Sequence, residues 1–182
     1  MKKITAAAML FLLSATGYAH HANPFWYTGV NYSILDVQLE SAGQQSDAEP
    51  GAINVFVGYE FNKYLAVEGL LGRGIYDDRV SNQSFAIELD SIIGISAVGI
   101  MPLSDSFSLY GKLGFAQVEY EDDTGRTGDG SGAMYGVGAA FDISETTTFN
   151  VEYVRYPDGD YDTSNTFDIE TNAFNLGVSF KF

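Results

Sequence analysis

Apolar and polar residues alternate strictly along several short segments of this chain. The C-terminal segment shows it most clearly: Phe174, Leu176, Val178, Phe180 and Phe182 share one parity, and the residues between them are polar or small. Successive side chains of a strand point to opposite faces, whereas a helix repeats every 3.6 residues and cannot separate residues in this way. The pattern therefore indicates β structure with one apolar face per strand.

The same alternation recurs, so that eight candidate strands can be counted. They cover residues 26–34, 53–61, 65–71, 87–101, 107–115, 135–141, 149–153 and 174–182. The connections between them alternate in length. Short ones lie at 62–63, 102–106 and 142–147, and long ones lie at 36–50, 74–84, 119–132 and 156–171. Short turns at one end and long loops at the other are typical of outer-membrane barrels, in which an even number of strands leaves both termini on one side.

The residues that lie between the apolar ones in each candidate strand distinguish a barrel from a soluble sandwich. They are rich in Gly, Ala and Ser beside isolated charges, which suits a crowded lumen, and aromatic residues such as Trp26 and Phe141 lie at the ends of the apolar faces. We therefore predict an all-β fold: an eight-stranded antiparallel up-and-down transmembrane β-barrel with short periplasmic turns and four long external loops. A soluble calcium-binding periplasmic β-domain is the alternative.

The N-terminus has the organisation of a secretory signal peptide. Lys2 and Lys3 precede an apolar run, and Gly17 and Ala19 place small residues at the positions before a cleavage site. We predict a signal peptide at residues 1–19 and a barrel domain at residues 20–182. The apolar run is too short to span a membrane as a helix. Without cysteine, no lipid-anchoring thioether can form.

The overall charge excludes several classes of protein. The 182 residues carry a formal net charge of −15, which becomes −17 if the signal peptide is removed. A nucleic-acid partner is not expected, because phosphate recognition requires a basic face. The absence of cysteine excludes a disulfide framework and Cys-ligated metal sites. The 14% aromatic content argues against disorder.

Four local motifs resemble the OmpA/OmpX-type eight-stranded outer-membrane barrel. They are residues 26–29 (WYTG), 101–105 (MPLSD), 109–114 (LYGKLG) and 176–182 (LGVSFKF). The resemblance implies a bacterial outer-membrane location and contact with lipid and lipopolysaccharide. The alternating Phe174, Leu176, Val178, Phe180 and Phe182 resemble the signal read by the barrel assembly machinery, with periplasmic chaperones as partners during biogenesis. Because the chain stops at Phe182, we expect no peptidoglycan-binding domain.

The resemblance also implies charged residues inside the barrel. Glu68, Lys112 and Glu152 fall where the family places lumen charges, and we expect Lys112 to pair with Glu68 or Glu152. Parity adds Glu88 and Asp90 to this predicted lumen charge network. Other family charges are replaced here, by Asn150, Val98 and Ala140. Two interpretations stay open: a lumen plugged by side chains, and a narrow passive porin-like channel gated by these charges.

No catalytic or cofactor site is predicted. His20 and His21 are the only histidines and lie near the predicted mature N-terminus, so they cannot serve a Ser-His centre at the external rim. We predict a non-enzymatic barrel, without cofactor and monomeric, with a structural or surface-interaction role through its loops.

The long connections hold 16 of the 24 acidic residues. Their carboxylates are the hard oxygen ligands that calcium prefers, so low-affinity Ca²⁺ or Mg²⁺ binding that bridges to lipopolysaccharide is one hypothesis. Simple solvation of surface charge is the other. The candidate ligands are Asp122, Asp123, Asp158, Asp160 and Asp162.

Overall fold

The computed structural model of this protein describes residues 24–41, 44–48, 51–76, 78–79, 86–122, 127–161 and 168–182. Within these ranges the backbone forms eight long strands, numbered here in chain order. They are β1 (Phe25–Ser41), β2 (Gly51–Asn62), β3 (Leu65–Tyr76), β4 (Ala86–Pro102), β5 (Phe107–Asp122), β6 (Thr127–Asp142), β7 (Thr147–Arg155) and β8 (Asp168–Lys181). The predicted signal peptide lies outside the described residues.

The eight strands form one closed antiparallel barrel. Each strand pairs with the next along the chain, and β8 pairs with β1 in a register that runs from Tyr27–Lys181 to Glu40–Asp168. This closure confirms the predicted fold class. It leaves the barrel wall without an unpaired edge, since every strand has two neighbours.

Among the described residues, no helix has the length and apolarity that crossing a membrane would require.

Three tight connections lie at one end of the barrel, which we call the turn end. Asn62 Oδ1 accepts a hydrogen bond from the backbone N–H of Tyr64 at 2.9 Å, and Ser144 Oγ accepts one from the N–H of Thr147 at 3.1 Å. Residues 103–106 form the third turn. β1 begins and β8 ends at this end. Lys181 N–H donates to the carbonyl of Thr146 in the 143–146 turn, and Phe182 N–H donates to the carbonyl of Trp26. The opposite end is called the loop end.

The apolar parity faces outward. In β2, Ile53, Val55 and Val57 are between 42% and 54% exposed, whereas Asn54 and Phe56 between them are buried. The same alternation holds in the other strands, and the exposed members are predominantly large apolar side chains. The barrel therefore has an apolar outer wall and an interior that contains both polar and apolar groups.

One expectation about β4 is wrong. Alternation placed Leu89 on the outer face and Asp90 inside, but Leu89 is fully buried and the Asp90 side chain is 47% exposed. A register shift between Leu89 and Ser91 accounts for the reversal. Such a β-bulge inserts one extra residue into a strand, so that every side chain beyond it changes face.

The strands extend further toward the loop end than the sequence predicts. Residues 36–50 and 119–132 were expected to be loops, yet β1 continues to Ser41, β5 continues to Asp122 and β6 begins at Thr127. Three short strands, Gln44–Ala48, Asp78–Arg79 and Gly159–Tyr161, add further pairing at this end. Backbone pairing needs no outward apolar face. In these extensions the apolar residues change parity, as with Leu35 and Val118, which are fully buried, so the outward apolar pattern stops before the strand does. The number of external loops stays a prediction.

Candidate functional site in the barrel lumen

A buried ion pair cluster occupies the middle of the lumen. Glu68 on β3, Lys112 on β5 and Glu152 on β7 have inward parity and side chains no more than 6% exposed. Lys112 Nζ lies 2.5 Å from Glu68 Oε1 and 2.6 Å from Glu152 Oε2. The lysine thus spans the lumen between carboxylates on two other strands, and we call these three residues the lumen triad.

Neighbouring polar groups hold the carboxylates in place. Tyr27 Oη donates to Glu68 Oε2 at 3.2 Å, and Asn175 Nδ2 donates to Glu152 Oε1 at 2.9 Å. The Lys112 ammonium also lies 5.7 Å from the ring centroid of Phe56 and 5.5 Å from that of Tyr110. Burying a charge is costly unless it is paired and hydrogen-bonded, and these contacts meet that requirement.

The other two residues of the predicted lumen charge network do not join the lumen triad. The bulge in β4 turns Asp90 outward, where its carboxylate lies 4.0 Å from the exposed guanidinium of Arg73. Asp90 therefore does not belong in the predicted network. Glu88 lies in the β4 backbone, but its side chain is outside the described residues.

Small and amide residues line the wall beside the triad. Asn31 on β1 lies directly opposite Gly177 on β8, and Asn150 on β7 pairs with the same glycine. The amide oxygens of Asn31 and Asn150 both occupy the space that a Cβ of Gly177 would fill. The glycine is therefore required by close approach, because a side chain there would displace buried amides.

The loop-end half of the lumen is filled by apolar side chains. Leu35, Leu89 and Val118 are fully buried, and Ile92 and Val154 are 1% exposed. They belong to one cluster with Phe56, Leu70, Met134 and Tyr156. By strand register all of these residues lie on the loop side of the lumen triad; Phe56, which pairs with Leu70, also lines the cavity on the other side. We call this group the apolar plug.

The turn-end half contains a cavity of about 260 Å³, which we call the vestibule. Its inner end reaches Glu68 and Lys112, and its mouth is lined by turn residues that include Lys63 and Asp105. Near the mouth, Lys181 Nζ lies 2.9 Å from Asp142 Oδ1, and Thr148 Oγ1 donates to the same oxygen. The sequence does not predict the Asp142–Lys181 pair, because Asp142 falls in the short connection at 142–147. The even parity of β6 places Asp142 inside.

A second ionic cluster lies at the loop end. The Arg155 guanidinium contacts Asp158 Oδ1 and Glu170 Oε2, each at 2.9 Å. The hydrogen bond from Arg155 lowers the pKa of the exposed Glu170 carboxyl below its ordinary value. Asp158 is the one predicted cation ligand whose side chain the structure describes; it is paired with Arg155. Asp123 and Asp162, and the side chains of Asp122 and Asp160, lie outside the described residues.

Among the described residues, no group of three or more His, Cys, Asp or Glu side chains is placed to hold a metal ion. The predicted divalent cation site stays a prediction, because most of its ligands fall outside that set.

The predicted assembly segment forms the outer face of the last strand. Phe174, Leu176 and Phe180 are between 38% and 49% exposed, and Phe182 follows the end of β8 at 73%. Most of this apolar row is therefore accessible from Phe174 to the end of β8. Its role in assembly stays a prediction.

Comparison with known proteins agrees with this architecture. The family model for the outer membrane protein beta-barrel domain matches residues 5–182. Comparison with curated protein sequences found no match.

Several solved structures share the fold. Neisserial surface protein A is 16% identical, with a TM-score of 0.67, over 86% of this chain and 97% of that one. The attachment invasion locus protein Ail of Yersinia pestis is 18% identical, with a TM-score of 0.57, over 86% and 99%. OprG of Pseudomonas aeruginosa is 14% identical, with a TM-score of 0.60, over 90% and 97%. At these identities the likeness establishes the fold alone.

Proposed function

Because this chain belongs to the outer membrane protein beta-barrel domain family, we propose that it is a structural or surface-interaction barrel with a closed lumen. It resides in the bacterial outer membrane, with its apolar outer wall toward lipid and its short turns toward the periplasm. The observation that carries the proposal is the apolar plug, which fills the loop-end half of the lumen.

The apolar plug opposes ion passage for a physical reason. A hydrated ion needs polar groups or water along its path, and fully buried Leu35, Leu89 and Val118 offer neither. Eight strands also enclose an interior just wide enough for side chains. Closure therefore depends first on the apolar plug and second on the lumen triad, whose Lys112 ammonium is held between two carboxylates.

Planar-bilayer recording tests the closed lumen. The purified barrel, with its folding verified by heat-modifiable gel mobility, is expected to give no steady current steps. Lys112→Ala and the turn-end control Lys63→Ala should be equally silent, because the apolar plug remains in both. Steady ion-selective steps that change with Lys112→Ala but not with Lys63→Ala would establish a gated channel and refute the proposal.

A narrow passive channel is the second candidate function. The vestibule supports it, because the cavity already brings solvent-sized space from the periplasmic mouth to Lys112. In that case the lumen triad and the apolar plug would separate the two sides, and their movement would open the pore. The same recordings decide between the two functions.

We infer that function lies in the external loops and that the barrel is monomeric, without cofactor or catalytic role. The part of the chain that the structure describes contains neither His nor Cys. The only histidines in the sequence are the adjacent His20 and His21. A Ser-His or Cys-His nucleophile is therefore not supported. During biogenesis the partners would be periplasmic chaperones and the barrel assembly machinery, through the β8 segment. After insertion they would be lipid and lipopolysaccharide.

The chemistry of the external partner follows from charge. The Ail structure includes the heparin analogue sucrose octasulfate, a polyanion. This chain has 24 acidic residues against nine basic ones, which disfavours polyanions unless a cation intervenes. We propose divalent-bridged contact with lipopolysaccharide phosphates.

Binding of purified lipopolysaccharide, measured with and without Ca²⁺, tests this contact. The expected result is Ca²⁺-dependent binding that Asp160→Asn with Asp162→Asn weakens and the periplasmic control Asp105→Asn leaves intact. Binding that is independent of Ca²⁺ would contradict it.

A further inference from the structure

The vestibule has features of a ligand site that the closed-barrel function does not use. Its volume of about 260 Å³ lies just below the range of roughly 300–1,000 Å³ that holds drug-sized ligands. Four aromatic side chains, Phe25, Tyr27, Phe56 and Tyr110, line it. It is open at the periplasmic mouth and closed at its inner end by the lumen triad. A small solute can therefore enter from the periplasm without crossing the membrane.

The carboxylates around the vestibule outnumber the cations that pair with them. Lys112 is shared by Glu68 and Glu152, and Lys181 is paired with Asp142. Glu60 also lines the cavity, yet within the described part of the chain its carboxylate has neither a hydrogen bond nor a salt bridge, and only its backbone is paired, with Phe25 and Ala66. Its charged neighbours are Lys181 and Asp142, which already satisfy each other. The part of the cavity wall near the mouth therefore presents an unpaired acceptor to whatever occupies the cavity.

The aromatic walls already accept ammonium groups. Lys181 Nζ lies 5.7 Å from the ring centroid of Phe25, and Lys112 Nζ lies over Phe56 and Tyr110. Attraction of this kind comes from the negative face of the ring and strengthens when water is excluded. A cavity that combines such rings with an unpaired carboxylate is complementary to a cation with an apolar body.

We propose that the vestibule binds a small organic cation, a primary ammonium joined to a flat apolar group. The ammonium would donate hydrogen bonds to the Glu60 carboxylate, and the apolar group would lie against Phe25 and Tyr27. The cavity volume restricts the ligand to fragment size. This site is separate from the external loops, so it adds a periplasmic binding function to the proposed surface role.

Methyl NMR of the full barrel in lipid nanodiscs tests the proposal. The probe is phenethylammonium, and its neutral counterpart 2-phenylethanol is the comparison. Val98 and Ile100 line the vestibule, whereas Ile93 and Ile95 face lipid and report on partition into the membrane. The expected result is a saturable shift of the Val98 and Ile100 methyl signals with phenethylammonium, and no such shift with 2-phenylethanol.

Variants test the role of each wall. Glu60→Gln should weaken phenethylammonium binding about tenfold, because a charge-assisted hydrogen bond is replaced by a neutral one. Glu145→Gln, on an exposed turn, should leave it unchanged. Phe25→Leu removes a ring at similar volume and should weaken binding by a smaller factor; this second variant keeps the test valid if Glu60→Gln fails to fold.

Three results would overturn the proposal: an equal response to 2-phenylethanol, shifts confined to Ile93 and Ile95, or an affinity that neither Glu60→Gln nor Phe25→Leu changes.

Discussion

The two halves of the lumen are built on opposite principles. The loop-end half is an apolar plug in which Leu35, Leu89 and Val118 are fully buried, whereas the turn-end half is a cavity lined by charged and aromatic groups. The lumen triad lies at the boundary, where Lys112 Nζ is 2.5 Å from Glu68 Oε1 and 2.6 Å from Glu152 Oε2. Inward and outward side chains alternate along the strands in both halves, so β pairing alone does not determine whether the interior is packed or open. The type of residue at the inward positions determines it.

The apolar plug and the lumen triad also stabilise the barrel through different interactions. Burial in the apolar plug stabilises the barrel through packing, and a loss there is limited by the size of the side chain removed. The lumen triad is stable only while all its charges are paired, so a loss there exposes an uncompensated charge. Mutations on the two sides of the boundary should therefore differ in size and in how they can be rescued.

The largest effect is expected at the lumen triad. Lys112→Met should lower the free energy of unfolding by about 3–5 kcal/mol, because two buried carboxylates lose their shared cation. Urea titration of the barrel in lipid vesicles measures this, with the exposed turn residue Lys63→Met as control. Adding Glu68→Gln and Glu152→Gln to Lys112→Met should recover much of the loss. A loss below about 1 kcal/mol for Lys112→Met would show that the pair is not buried as described.

The next largest effect is expected in the apolar plug. Leu89→Ala should cost about 2–4 kcal/mol, because it leaves a cavity that rigid strands cannot close. Leu71→Ala is the matched control, since Leu71 faces lipid and is 62% exposed. Urea unfolding of both variants, measured side by side, checks the prediction. Equal costs for the two leucines would contradict the β4 bulge, because alternation without it places Leu89 outside.

Leu89 also marks the limit of what the sequence can predict. Strict alternation identified the strands, the closed antiparallel barrel and the inward parity of Glu68, Lys112 and Glu152. A bulge adds one residue to a strand, and no residue pattern in the sequence marks it. The bulge in β4 therefore reverses the predicted faces of Leu89 and Asp90. The strand extensions to Ser41 and Asp122 still alternate, but their apolar residues, such as Val37 and Val118, have the parity opposite to that of Ile34 and Phe115, so they do not continue the outward apolar pattern that predicts the strands.

Contacts across the lumen were the least predictable part of the candidate site. Tyr27 and Asn175 have the right parity, but parity does not say which of the other strands a side chain reaches. That depends on the register between strands, and register is set by pairing along the whole barrel. The vestibule depends on the same information, because it is bounded by residues of several strands.

A smaller effect is expected at the wall beside the lumen triad. Gly177→Ala should cost about 1–3 kcal/mol, since a methyl group would collide with the amide oxygens of Asn31 and Asn150. Gly69→Ala is the control, because the nearest atoms to a Cβ there are backbone oxygens at 4.0 Å. Chemical denaturation distinguishes them. If both alanines are neutral, the amides have room to move and the wall is less tightly packed than the structure shows.

The smallest effect is expected at the loop end, outside both halves of the lumen. Arg155 lowers the pKa of the exposed Glu170 carboxyl, so Arg155→Gln should return that pKa toward its ordinary value of 4.5. A carboxyl whose pKa is lowered by folding stabilises the folded state at pH values above its pKa in the unfolded chain. This stability is lost as the pH falls through the lowered pKa. NMR titration of the Glu170 side chain measures the change, with Arg73→Gln as the control.

Because the Arg155–Glu170 pair is exposed to solvent and screened by salt, the midpoint of unfolding of Arg155→Gln at neutral pH should hardly move. A large change there would mean that Arg155 organises the loop end rather than merely pairing with one carboxylate.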